Sequence, residues 1–105
     1  MFRFIFCLVL GLSASVAYAE TATISVSNLP AKTSVRIYIG DGKTYSMTVT
    51  SDEKGNASAT FTVSEIPENG SAKWTAHAEY GKTPTRKSNS RWSVQGKKAS
   101  TSIKF

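Results

Sequence analysis

Val35-Arg36-Ile37-Tyr38-Ile39, Lys43-Thr44-Tyr45-Ser46-Met47-Thr48-Val49 and Ala57-Ser58-Ala59-Thr60-Phe61-Thr62-Val63 decide the fold class of this chain. In each segment a bulky or apolar residue recurs at every second position, the period of a strand with one buried face. The segments are separated by Gly40-Asp41-Gly42 and by Ser51-Asp52-Glu53-Lys54-Gly55-Asn56. Glycine there supplies positive φ, and Asp and Asn side chains bond nearby backbone, so both separators read as turns. The expectation is three strands folded back on one another within an antiparallel β-domain.

Upstream, Met1 to Ala19 carries Arg3, an apolar run from Phe4 to Leu12 and a small-residue end at Ala17-Tyr18-Ala19. That is the layout of a secretory signal peptide, and the apolar run is shorter than the roughly 20 residues a spanning helix requires. Cleavage after Ala19 leaves Glu20 to Phe105, which is 105 − 19 = 86 residues and one domain. The mature chain is expected to be secreted or periplasmic, with no transmembrane segment. Its only cysteine, Cys7, leaves with the signal, so burial of apolar side chains has to stabilise the domain without disulfides.

The alternation extends beyond the central stretch. Ala22 to Val26 reads as the first strand, Ala72 to Tyr80 as the fifth, Ser90 to Gln95 as the sixth and Ala99 to Phe105 as the seventh. Gly81 to Asn89 is the longest connection. Trp74, Tyr80, Trp92, Val94 and Phe61 fall on inward faces, whereas Tyr38 is out of phase with Val35, Ile37 and Ile39. Beside Arg36, Tyr38 could stack a ring of a ligand or cover the other face of its sheet. Seven short strands at this spacing form a two-sheet sandwich.

Val26-Ser27-Asn28-Leu29-Pro30-Ala31-Lys32-Thr33-Ser34-Val35, followed by Thr50-Ser51-Asp52-Glu53-Lys54-Gly55-Asn56 and the strand ending in Val63, resembles bacterial immunoglobulin-like domains. Those domains open with G-L-x-x-G-T-x-V and continue with T-x-D-x-x-G-x-x-x-x-x-F; here Ala31-Lys32 stands where the second glycine is usual. Ser102-Ile103-Lys104-Phe105 is similar to the closing strand of neocarzinostatin-type apoproteins, although their paired cysteines are missing. The resemblance implies a seven-stranded antiparallel immunoglobulin-like β-sandwich and carries no ligand site.

Catalysis finds little support. The mature chain has one histidine, His77, on the outward register of the fifth strand, and Glu65 and Glu68 lie in a polar connection rather than facing each other across a cleft. No nucleophile elbow, P-loop or dinucleotide fingerprint is present. A non-enzyme without cofactor or metal is expected.

Charge is the functional signal. Without Arg3 the mature chain has 13 − 1 = 12 basic residues against 7 acidic ones, net +5. From Ala72 onward eight basic residues meet a single acid, Glu79. With strands alternating in direction, Lys32, Lys54, Lys82, Arg86 and Lys87 gather at one end, and Arg91 extends that surface along the sheet. The expected function is a binding module that engages a protein or an anionic polysaccharide through this basic loop end. A cationic protein acting at membrane or lipopolysaccharide surfaces and an assembly protein pairing through an edge strand are the other readings; nucleic acid is not an expected partner.

Overall fold

The computed structural model describes residues 20–105; the expected signal peptide and Cys7 lie outside them. Eight strands follow one another: β1 (Glu20–Ser27), β2 (Ser34–Ile39), β3 (Tyr45–Thr50), β4 (Ala57–Val63), β5 (Ala76–Tyr80), β6 (Thr85–Asn89), β7 (Ser93–Gln95) and β8 (Lys98–Lys104). They form two four-stranded sheets, ordered β4-β1-β8-β7 and β3-β2-β5-β6. The chain is thus all-β and built as a sandwich, as the alternation requires.

Four expectations are corrected. The domain has eight strands rather than seven, because Thr85–Asn89, expected to be loop, pairs along β5 from Tyr80↔Thr85 to Ala76↔Asn89. Almost every residue of β6 is exposed, so no hydrophobic alternation marks it. The ladder and the polar pairs facing across it hold it instead. Second, the central stretch is not one three-stranded meander: β3 pairs with β2, whereas β4 crosses to the other sheet and pairs with β1. Third, the sheets are not wholly antiparallel, since β1 runs parallel to β8 from Thr21↔Lys98 to Ser27↔Lys104. Fourth, the strand expected at Ala72 begins at Ala76; Ala72–Trp74 is a 3₁₀ turn whose Trp74 still reaches the core.

The core lies between the sheets. Ile24, Val26, Val35 and Ile37 are its largest fully enclosed side chains, joined by Phe61, Trp74, Trp92 and Ile103. Trp92 sits just before β7 rather than in a strand, and its indole N–H donates to the Trp74 carbonyl at 2.7 Å within the core. Val94, expected inward, is 46% exposed because β7 is a three-residue edge strand that the facing sheet does not cover.

The Ser51–Asn56 connection that carries β3 into β4 is locked by one aspartate. The Asp52 carboxylate accepts from the Lys54 and Asn56 amides at 2.8 and 2.9 Å, and these bonds, the Asn56 one foremost, hold its pKa below the usual aspartate value. Gly55, at φ 80°, then passes so close to the preceding connection that a Cβ would lie 2.2 Å from the Leu29 carbonyl oxygen. Leu29 N–H donates to Gly55 C=O at 3.0 Å, joining the two loops. In the Leu29 loop, Asn28 and Lys32 are the non-glycine residues with positive φ, at 61° and 52°.

The register places the 28–33, 51–56 and 81–84 connections at one end of the sandwich. Ser34 lies opposite Thr50, Val35 opposite both Val49 and Tyr80, and the amide of Ser51 donates to Thr33 C=O at 2.9 Å.

Candidate functional site

The outer face of the β3-β2-β5-β6 sheet concentrates the chemistry of this chain. On β2, Val35, Ile37 and Ile39 point into the core, which turns Arg36 and Tyr38 outward. On β5, Ala76 and Ala78 point inward and His77 and Glu79 outward. Cross-strand pairing then aligns two polar rows. One runs Thr48, Arg36, Glu79, Arg86; the other runs Ser46, Tyr38, His77, Ser88.

These rows bond to each other. The Tyr38 hydroxyl donates to Glu79 Oε1 at 3.0 Å and accepts from the Arg86 guanidinium at 3.2 Å. Arg36 lies over the Tyr38 ring, its guanidinium carbon 4.4 Å from the centroid, while its Nε donates to Ser46 Oγ at 3.0 Å. His77 stacks on the other side of the network, 4.8 Å from Tyr38 between centroids, with Nδ1 2.6 Å from Ser88 Oγ. Burial first, and the neighbouring Arg86 charge second, hold the His77 pKa below the usual histidine value.

Tyr38 is therefore outward in register yet only 6% exposed. The loop after β2 folds over it: at Gly42, φ 75°, a Cβ would stand 2.7 Å from the Arg36 guanidinium and 3.0 Å from the Tyr38 ring. Of the two roles open to Tyr38 in the sequence, the structure gives it the cover of its own sheet, roofed by Arg36 and the Gly42 loop.

Where this face meets the end of the sandwich it opens into a shallow groove of about 470 Å³. Arg36 and Glu79 form its floor with Thr48, and Thr33 and Ser34 supply a hydroxyl rim. The Gly81–Pro84 turn closes it with Lys82; Tyr80 borders it, its ring turned inward against Phe105. The groove thus offers the Lys82 ammonium, one carboxylate and three hydroxyls beside Pro84, while the Arg36 guanidinium is turned away from it, over Tyr38 and toward Gly42.

The six basic residues expected from sequence separate in space. Lys32, Lys54 and Lys82 come to the same end, but Lys32 pairs with Glu53 at 3.5 Å on an exposed surface. Arg86 is on the outer face, bound to Tyr38. Lys87 lies opposite Ala78, the inward register of an edge strand, so it points away from Arg86 and toward the open side of the sandwich. Arg91 is not on a strand face; it sits in the 90–92 connection at the far end, its amide accepted by Asn89 Oδ1. Only Lys82 among the six lines the groove. Glu79, Thr48 and Ser34 were missed as site residues, although the outward phase of β2 and β5 already placed Arg36 and Glu79 on equivalent faces.

Among the described residues no group of three or more His, Cys, Asp or Glu side chains converges as a metal site would require, and no helix is long and apolar enough to cross a membrane. No protein-family model, no curated protein and no solved structure matches this chain.

Proposed function

We propose that the mature chain is a non-catalytic immunoglobulin-like binding module of the secreted or periplasmic space, and that its partner is an acidic polysaccharide held in the groove at the 81–84 end. The composition of the groove carries this reading. A sugar acid needs cationic donors for its carboxylate or sulfate, acceptors for its hydroxyls and an apolar surface for its ring. Lys82 meets the first need, Glu79 with Thr48 and Ser34 the second, and Pro84 the third. The mature net charge of +5 brings a polyanion to the surface; the groove supplies a place for one residue of it.

The test is retention on a heparin column across a salt series, with anionic vesicles as a parallel arm. Lys82→Ala is expected to lower the elution salt more than Lys87→Ala, which changes the same charge on the other side of the edge strand. A Lys97→Ala/Lys98→Ala double variant removes two charges at the opposite end and is expected to do less than Lys82→Ala alone. Equal shifts per charge removed would mean diffuse attraction and no site. Vesicle binding stronger than heparin binding would point to a membrane surface instead.

A further inference from the structure

The two sheets have four edge strands, and they are not protected alike. Edge strands expose unpaired backbone donors and acceptors, and proteins that remain monomeric blunt them with charge, brevity or distortion. On one side of the sandwich, β6 carries Arg86 and Lys87, and β7 is three residues long. On the other side, β3 and β4 contain no charged residue, no proline and no glycine along Tyr45–Thr50 and Ala57–Val63. β4 is the longer of the two, seven residues, and its free edge pairs with no other strand among the described residues.

From this asymmetry we infer that two copies of the chain associate through the free edge of β4, antiparallel about Thr60, to make one eight-stranded sheet. Thr60 meets its own copy, Ser58 meets Thr62, Ala59 meets Phe61 and Ala57 meets Val63, so hydroxyls face hydroxyls on the outer surface and apolar side chains meet on the inner one. Within one copy Thr60 Oγ1 already bonds Thr23 Oγ1 at 3.0 Å, and pairing continues that hydroxyl row across the seam. The register has a natural limit, since the Ser64 amide just past β4 is taken by the Tyr45 hydroxyl.

Electrostatics favours the same geometry. Two mature chains of net +5 repel, and most strongly if they approach through the Arg86 and Lys87 side; the β4 side lets them meet where no strand residue is charged. Met47, at 38% exposure the one large apolar side chain left open on β3, lies on this side and is covered in the pair.

The experiment is light scattering coupled to size exclusion on the mature protein, alone and as Thr60→Lys, Thr60→Glu and Thr48→Lys. Thr60 is exposed, and circular dichroism and thermal melts establish that its variants remain folded. The expected result is a dimer mass for the wild type and for Thr48→Lys, a monomer mass for either Thr60 variant alone, and recovery of the dimer when Thr60→Lys and Thr60→Glu are mixed. A monomeric wild type would overturn the inference. So would a dimer that survives both Thr60 charges, or one lost in Thr48→Lys but retained in Thr60→Lys, which would move the contact to β3.

Discussion

Replacing Gly55 by alanine tests whether the contact between the two loops at one end of the sandwich is a fixed element of the fold. At φ 80° a side chain brings the left-handed penalty of about 1–2 kcal/mol, offset in part by roughly 0.4–1 kcal/mol from the stiffer unfolded chain. Gly70, at φ 79° with nothing within 4 Å of its would-be Cβ, experiences those two effects alone. Gly70→Ala is therefore expected to destabilise by about 0–1.6 kcal/mol. At Gly55 the added carbon would stand 2.2 Å from the Leu29 carbonyl oxygen and 3.1 Å from its carbon, both backbone atoms that cannot rotate aside. Separating the loops stretches the 3.0 Å Leu29–Gly55 hydrogen bond, about 0.5–1.5 kcal/mol, and disturbs the packing of buried Leu29, about 1–3 kcal/mol. The expected loss for Gly55→Ala is about 2–5 kcal/mol, a lowering of Tm by about 10 °C or more in a domain of this size. Urea unfolding followed by tryptophan fluorescence measures both variants. Equal losses at Gly55 and Gly70 would refute the close approach on which the argument rests.

Trp92→Phe removes the donor to the buried Trp74 carbonyl, and the orphaned acceptor with the smaller ring is expected to lower stability by at least about 2 kcal/mol in the same urea assay. Lys32→Gly relieves φ 52° at a side chain and gives up one exposed ion pair, so a gain of about 0.5 kcal/mol is expected from thermal melts. His77 has a lowered pKa in the folded state, so below about pH 6.5 the unfolded chain binds a proton that the folded chain does not. Stability is expected to fall as pH drops from there through the folded value, and His77→Gln should flatten that slope in melts recorded across pH. Asp52 gives the acid limb: its stabilisation is present above about pH 3.9 and is lost as pH falls through its lower folded pKa, a loss Asp52→Asn would no longer show.

The sheet faces were legible because burial enforces a two-residue period. Ile24, Val35, Ile37, Phe61 and Ile103 are all where alternation puts them. What alternation does not encode is which strand lies beside which, so the chain's passage from β3 to the other sheet at Ser51–Asn56 was not visible from a turn signal that reads the same for a hairpin. Strand β6 left no pattern because its partner contacts are backbone and polar; Thr85-Arg86-Lys87-Ser88-Asn89 resembles a loop in composition. That omission also placed Arg86 and Lys87 together in one loop, where a strand sends them to opposite faces. Lys32, Lys54 and Lys82 do share one end, but the groove there is lined by Glu79 and Thr48, whose proximity depends on cross-strand register that residue spacing does not convey.

The most direct test of the proposed function is amide chemical-shift mapping of the mature protein, isotopically labelled, titrated with a short sulfated or uronate-rich oligosaccharide. Saturable shifts concentrated at Ser34, Thr48, Glu79, Gly81 and Lys82, absent in Lys82→Ala, are the predicted result. Shifts spread over Lys97 and Lys98 at the opposite end as strongly as over the groove, or no saturation, would contradict a glycan site there.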